Sequence, residues 1–229
     1  MRTSLLIAIL LFTGCASQVL SPPARYMPFE GPSHAAPDTT WVHLEGGGGG
    51  QVFGPSAGGG TLRVAHGVDA IEWSGEASVA YLDDEFPSLA SRLWGAVRGG
   101  ARGLFDPELP HAFWGAGFGG GAYAGGVYLS PELTAGLGYQ NPTLVPYLSV
   151  GLFSSLPLVA ETVDVTADPD EPAFDRPLVT VGYRVQAGLE VPVADRAVFA
   201  IGFHGVGLID LEGTTEGWFG FGGGLKLRL

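Results

Sequence analysis

The stretch that decides the fold is IEWSGEASVAY, residues 71–81, in which apolar and polar side chains alternate with a period of two. Its odd positions carry apolar groups or glycine, whereas its even positions carry two carboxylates and two hydroxyls before Ala80. The alternation returns in VTVGYRVQAGLEV, residues 179–191. Because successive side chains of a β-strand point to opposite faces, each stretch predicts a strand with one apolar and one polar face.

Similar alternation restarts along the chain from about residue 60 to the C-terminus, and together with a first strand at 40–48 it predicts ten strands. The predicted strands span residues 40–48, 60–66, 70–82, 92–105, 112–124, 127–139, 144–156, 178–191, 197–210 and 217–229. Without the first two, the count would be eight. Most segments reach the roughly nine to eleven residues that a tilted strand needs to cross a bilayer, whereas strands of soluble proteins commonly have about five or six.

Strands of this length predict a membrane barrel. Apart from the N-terminal segment, no apolar run approaches the roughly eighteen residues that a membrane-spanning helix needs. In hydrocarbon every backbone N–H and C=O must be paired internally, so strands cross only as a closed barrel. We therefore expect an all-β fold, a closed antiparallel up-and-down transmembrane β-barrel. The alternative is a soluble, lipocalin-like barrel that binds a ligand in its interior.

Composition agrees with a β-barrel. The chain has 38 glycines, 17 prolines and only 15% charged residues, which is typical of neither a helical nor a disordered protein. In a narrow barrel, a glycine-rich strand such as 113–123 would leave room for bulky side chains across the lumen. The run from Gly46 to Gly50 lacks the lysine and hydroxyl of a phosphate-binding loop, and we interpret it as a flexible connection. The formal charge of −12 disfavours nucleic acid as a partner.

The N-terminus has the pattern of a secretory signal, with a basic start and an unbroken apolar run over residues 5–12. Residues 12–15, Phe-Thr-Gly-Cys, resemble the lipobox of bacterial lipoproteins, in which cleavage precedes a cysteine that becomes acylated. The resemblance implies a signal peptide at 1–14 and covalent acyl chains on Cys15, the only cysteine. An ordinary signal peptide cut near Ala16 is the alternative.

A tether and one domain follow this signal. Five prolines between residues 22 and 37 predict an extended, Pro-rich tether over 15–38, and the barrel domain then takes up 39–229. In bacterial lipoproteins, an acidic residue just after the cysteine commonly retains the protein in the inner membrane. Because Ala16 and Ser17 stand there, the resemblance implies the outer membrane.

The links between the predicted strands differ in length, and the three longest, 49–59, 83–91 and 157–177, fall at the same end of the barrel. Outer-membrane barrels have short periplasmic turns and longer outer loops. With an even number of strands, both termini lie at the other end, so we expect a periplasmic N-terminus. The last two of these links are acidic, and their carboxylates could bind divalent cations, although no ordered calcium-loop spacing is present.

The end of the chain resembles the closing strand of bacterial outer-membrane proteins. Apolar residues alternate from Phe219 to Leu229, and the last residue belongs to the strand. In that family the last residue is usually phenylalanine, whereas here it is leucine. The resemblance implies a barrel that is inserted among outer-membrane lipids.

Two ion pairs are predicted inside the barrel. Glu72 and Glu76 lie on the polar face of one strand, and Arg98 and Arg102 share the polar parity of the next. Pairing these strands symmetrically about Pro87 sets Glu76 opposite Arg98 and Glu72 opposite Arg102. Directly opposed residues of antiparallel strands can touch, so we predict two carboxylate–guanidinium contacts, which could be bidentate. An arginine that faced lipid at the midplane would cost about 2–4 kcal/mol.

Further lumen candidates are Arg63, Glu132, Arg184, Glu190 and Lys226. Barrels of eight strands have interiors just wide enough for side chains, and two more strands add little width. We therefore expect a filled, salt-bridged lumen and a structural or surface-interaction role. The alternative is a narrow or gated channel whose ion pairs part during conduction.

No catalytic, cofactor-binding or metal site is predicted, and we expect a non-enzymatic protein. His204 and Asp210 lie towards one rim, but no serine accompanies them in the manner of barrel hydrolases. The other histidines lack the spacing of metal ligands. A barrel hydrolase therefore stays a lesser alternative.

Overall fold

A computed structural model describes residues 31–33, 35–50, 56–83, 93–106, 112–123, 126–139, 141–160, 179–210 and 215–229. Ten strands occupy these ranges: β1 (Thr40–Gly50), β2 (Ser56–Val68), β3 (Ile71–Asp83), β4 (Leu93–Leu104), β5 (Ala112–Tyr123), β6 (Gly126–Gly138), β7 (Val145–Ala160), β8 (Thr180–Ala194), β9 (Ala197–Asp210) and β10 (Thr215–Arg228). In these ranges no helix has the length and apolarity that crossing a bilayer requires.

The ten strands form one closed, antiparallel barrel. Each strand pairs with its neighbours in sequence, and β1 pairs with both β2 and β10. At the closure Trp41 stands opposite Arg228, and the N–H of Leu229 donates to the carbonyl of Thr40 at 2.9 Å. The predicted fold class, a closed up-and-down barrel, is confirmed, with ten strands rather than eight.

The barrel is apolar on its outer surface and charged inside. Large apolar side chains at alternate strand positions are exposed, among them Leu133, Leu152 and Phe203 at 64%, 63% and 69%. The charged residues within strands whose side chains are described are all buried, except Arg228 at the end of β10. The two-residue period therefore sorts each strand into an outer apolar face and an inner face that carries the charge.

The two ends of the barrel differ. We call the end that carries the turn between β2 and β3, residues 69–70, the lower end, and the opposite one the upper end. The lower links span 69–70, 105–111, 139–144 and 195–196, and the upper links span 51–55, 84–92, 124–125, 161–179 and 211–214. Two of the three links predicted to be long, 83–91 and 157–177, correspond to the links 84–92 and 161–179 at the upper end.

The third link predicted to be long, 49–59, spans only residues 51–55. It is shorter because glycines at both of its ends pair within the strands. Gly46 stands opposite Gly60, and the ladder continues to Gly50 opposite Ser56. The run from Gly46 to Gly50 is thus the upper part of β1, and its interpretation as a flexible connection was wrong. Glycine lowers strand propensity, but pairing on both sides, with β2 and with β10, holds this run in the sheet.

The chain before β1 folds back into the barrel at the lower end. Pro37 forms a parallel bridge with Gly67 of β2, and the N–H of Asp38 donates to the carbonyl of Gly67 at 3.0 Å. Earlier in the segment, Pro32 lies beside Gly138, the last residue of β6 at the lower end. The predicted tether, 15–38, therefore includes residues that pack inside the barrel.

Candidate functional site

The lumen contains the ionisable residues that the sequence singled out, and Glu72 is the centre of its lower part. This carboxylate is fully buried. Its Oε1 accepts a hydrogen bond from Arg63 Nη2 at 2.7 Å and lies 3.7 Å from Arg102 Nε. Its Oε2 accepts the backbone N–H of Ala35 at 2.5 Å. One carboxylate thus balances two guanidinium groups and also binds the segment before β1.

The register of the strands agrees with the predicted pairing, but the contacts extend beyond it. Glu72 stands opposite Arg102, and Glu76 stands opposite Arg98. The closest guanidinium group to Glu72 nevertheless belongs to Arg63, which stands opposite Glu76 in the register. Long guanidinium side chains reach diagonal neighbours, so a network replaces the two separate pairs expected from the register.

A second network crosses the middle of the lumen. Arg98 Nη1 donates to Glu76 Oε1 at 3.3 Å, and Arg98 Nε lies 3.6 Å from Glu132 Oε2. Arg184 Nη1 donates to Glu132 Oε1 at 2.9 Å. The alternating charges therefore link four strands, β3, β4, β6 and β8, across the interior. The Arg184 guanidinium also lies 5.4 Å from the ring centroid of Phe153, within the range of a cation–π contact.

A separate ion pair joins Lys226 on β10 to Glu190 on β8, whose Oε1 accepts a hydrogen bond from the Lys226 ammonium. All nine predicted lumen residues are buried, at 7% exposure or less. Glu45 on β1 is buried too, at 4%. Glu45 was not among the predicted lumen residues, although it shares the parity of His43.

The described interior is balanced in charge. Its buried carboxylates and cations are five of each: Glu45, Glu72, Glu76, Glu132 and Glu190 against Arg63, Arg98, Arg102, Arg184 and Lys226. Burying a charge is costly unless an opposite charge and hydrogen bonds compensate for it. The equal numbers and the contacts among them satisfy this requirement.

The upper part of the lumen contains an aromatic layer. Trp94 packs with Ala57, Ala80 and Trp218, and Trp218 also packs against the cluster that contains Phe153. The interior was predicted to be polar, and this aromatic layer was not predicted. A signal was available, because Trp94 has the even parity of Arg98 on the same strand.

Gly117 on β5 makes the space that Arg98 occupies. A Cβ at this position would lie 2.1 Å from Arg98 Nη2, so any larger residue would compete with the guanidinium. This agrees with the expectation that a glycine-rich strand leaves room for bulky neighbours. The opposite situation holds at Gly75 on β3, where an added Cβ would meet nothing within 4 Å.

We expect Gly117→Ala to lower the free energy of unfolding by about 1–3 kcal/mol, as overpacking of a well-packed interior does. The added methyl group would push Arg98 away from Glu76 and Glu132. Gly75→Ala is the matched control and should change the free energy by less than about 0.5 kcal/mol. Urea unfolding of both variants in lipid vesicles measures the difference, and equal effects would contradict the assigned role of Gly117.

Other predicted features involve residues outside these networks. Cys15 and the carboxylates of the two acidic links, at 84–92 and 161–178, are outside the described residues. Within the described ranges, no three or more His, Cys, Asp or Glu side chains are grouped to hold a metal ion. His204 is buried in the lumen opposite Gln186, and the side chain of Asp210 is not described.

Among known proteins, only solved structures resemble this chain. Neither the family models nor the curated proteins match this sequence. An outer membrane channel from Pseudomonas putida F1 is 10% identical and has a TM-score of 0.50 over 89% of this chain and 100% of that chain. At this identity the similarity shows a shared fold, a β-barrel.

Two further solved structures resemble the chain. The N-terminal β-barrel domain of OprF from Pseudomonas aeruginosa is 14% identical, with a TM-score of 0.37 over 82% of this chain and 97% of that chain. The outer membrane protease OmpT from Escherichia coli is 9% identical, with a TM-score of 0.43 over 85% of this chain and 98% of that chain.

Proposed function

We propose that the chain is a lipid-anchored β-barrel of the bacterial outer membrane with a closed lumen and a structural or surface-interaction role. The observation that carries the proposal is the distribution of side chains, with an apolar outer surface around a charge-balanced interior. A soluble ligand-binding barrel has the reverse arrangement, because its apolar side chains must avoid water. The strands, of 11 to 16 residues, also reach or exceed the roughly nine to eleven that a tilted crossing needs.

Aromatic residues at the lower rim support the membrane assignment. Trp73, Phe105 and Tyr139 lie at or near the lower ends of β3, β4 and β6, and they are 55%, 62% and 63% exposed. Membrane barrels carry such aromatic girdles where the hydrocarbon meets the headgroups. The similarity to a channel of the outer membrane is consistent with the same location.

The proposed lipid anchor is compatible with the position of the segment before β1. Gly31 follows Cys15 by sixteen positions, and an extended chain spans at most about 3.3–3.6 Å per residue. This length exceeds the roughly 30 Å of the hydrocarbon core. An acyl group on Cys15 could therefore reach the leaflet at the lower end, which is compatible with a periplasmic lower end.

The filled lumen favours a non-conducting, non-enzymatic barrel. Three sets of side chains occlude the described interior in succession: the aromatic layer above, the Arg98 network in the middle and the Glu72 network below. The cavity beside Glu45, Thr61 and Ser78 holds about 10 Å³, which is room for about one water molecule.

A narrow or gated channel is the second candidate. The observation that favours it is that ion pairs, rather than apolar packing, fill the lower and middle lumen, since ion pairs can exchange partners when water enters. In that case the aromatic layer around Trp94 would also have to move.

Fractionation and conductance together test the proposal. We expect the expressed protein to sediment with outer membranes and to migrate faster on gels before heating than after it. In planar bilayers, the intact chain should show no steady openings. Steady openings would favour the gated channel, and a soluble, heat-insensitive protein would contradict the membrane assignment itself. Incorporation of labelled palmitate that Cys15→Ala abolishes would establish the lipid anchor, and its absence would contradict it.

A further inference from the structure

The segment before β1 is held in the lower lumen through its backbone. Arg102 Nη2 donates to the carbonyl oxygens of Gly31 at 2.8 Å and of Ser33 at 2.7 Å. The N–H of Ser33 donates to Glu190 Oε2 at 3.1 Å, and the Ala35 N–H donates to Glu72 Oε2. Backbone acceptors and donors of this segment are thus bound by cations and carboxylates, respectively.

The partners of this backbone are buried ionised side chains. Arg102, Glu72 and Glu190 are at most 3% exposed, and Lys226 Nζ lies 3.4 Å from the Ser33 carbonyl oxygen. Hydrogen bonds to charged groups are the stronger ones. Since all these contacts go to main-chain atoms, the recognition depends on backbone positions and not on the chemistry of the segment's side chains.

The shape of the site selects small residues. A Cβ on Gly31 would lie 2.1 Å from Glu190 Oε1, so a larger residue there would displace this carboxylate. Pro32 is buried against Gly138, where an added Cβ would lie 2.3 Å from Pro32 Cγ. Gly67 likewise allows the carbonyl of Ala36 to approach, since a Cβ there would lie 2.1 Å from that oxygen. The site therefore has both a polar and a steric pattern.

We propose that the lower lumen is a binding site for the backbone of a peptide with glycine beside Glu190, and that residues 31–36 occupy it as an exchangeable intramolecular ligand. The ligand class follows from the contacts: alternate carbonyl and N–H groups, and a glycine beside Glu190. This site is distinct from the lipid-facing surface, and the inference holds whether or not the barrel is lipid-anchored.

The test empties the site in the full-length chain by changing the ligand segment and leaving the lumen intact. Ala35→Pro removes the N–H that Glu72 accepts, and Ala35→Ser is the matched control that keeps it. The probe is a fluorescent synthetic peptide with the sequence of residues 30–39, and its anisotropy is measured with each refolded protein in detergent micelles. Heat-modifiable migration verifies that each protein is folded.

We expect saturable binding of the peptide to the Ala35→Pro protein. Binding to wild type and to Ala35→Ser should be at least about tenfold weaker, because a tethered ligand competes at an effective concentration near the millimolar range. On the Ala35→Pro background, Arg102→Gln should weaken binding at least about tenfold, since it removes hydrogen bonds from a charged donor to two carbonyls. A peptide that carries proline at the position of Ala35 should also bind at least about tenfold more weakly.

A folded Ala35→Pro protein that binds no peptide, or that binds the proline peptide equally well, would overturn the proposal. If that variant does not fold, thiol labelling decides. The Ser33→Cys protein should react slowly with a thiol reagent, once the signal of the wild-type protein is subtracted. Adding Arg102→Gln should accelerate this reaction at least about tenfold. Equal rates would overturn the proposal.

Discussion

Replacing Glu72 by glutamine is expected to lower the free energy of unfolding by about 3–5 kcal/mol, the cost of removing one partner from a buried ion pair. The carboxylate is fully buried and faces both Arg63 and Arg102. Glutamine keeps the size of the side chain but leaves two guanidinium groups without their shared counter-charge. Urea unfolding in lipid vesicles measures the effect.

Asp69→Asn is the control for Glu72→Gln. It makes the same change of charge three residues away, in the exposed turn between β2 and β3, and asparagine tolerates the positive φ of 52° at this position. Its effect should stay within about 0.5 kcal/mol. If the two variants lost similar stability, the net charge of the chain, and not the buried network, would be responsible.

Replacing Leu133 by arginine is expected to destabilise the barrel in a bilayer by about 2–4 kcal/mol, the cost of an arginine that faces lipid at the midplane. Leu133 is 64% exposed and lies in the middle of β6. In a soluble protein the same change at an exposed site would be nearly neutral. Unfolding in lipid vesicles therefore tests directly which solvent surrounds the outer surface.

The control for Leu133→Arg is an arginine substitution at the rim of the barrel. Val193 is 59% exposed but is the penultimate residue of β8, at the lower rim. Val193→Arg should cost only about 0–1 kcal/mol, as charged substitutions near the interface do. Equal costs at the two positions, or no cost at either, would contradict a bilayer around the barrel.

Both predictions depend on the same alternation of polar and apolar side chains along the strands. They test opposite faces of the barrel wall, the inner and the outer one. The Glu72 variant tests whether the interior charges act as a network, and the Leu133 variant tests what the outer face contacts. A barrel that tolerated Leu133→Arg but not Glu72→Gln would have a charged core in an aqueous setting. Such a result would remove the membrane assignment while leaving the fold unchanged.

Much of the fold could be predicted from local pattern. The alternation in 71–81 assigned faces correctly because the side-chain period of a strand is two, and one parity error would have turned every charge outward. The register of β3 and β4 followed from symmetric pairing about one link, which places Glu72 opposite Arg102. The predicted first strand ended at Gly48, two residues short of the end of β1, because glycines carry no side-chain pattern, although their backbone groups pair as in any strand.

The sequence by itself determined the ten strands, the face to which each charged side chain points and the opposition of neighbours across a short link, because these depend only on strand periodicity and local pairing. Tertiary structure decided the rest: that Arg63 provides the guanidinium group closest to Glu72, that Glu132 joins Arg98 to Arg184, and that the segment before β1 enters the lumen. These contacts join residues up to 193 positions apart in sequence. Their partners are set by the closure of the barrel and the space that its glycines leave, which no local period encodes.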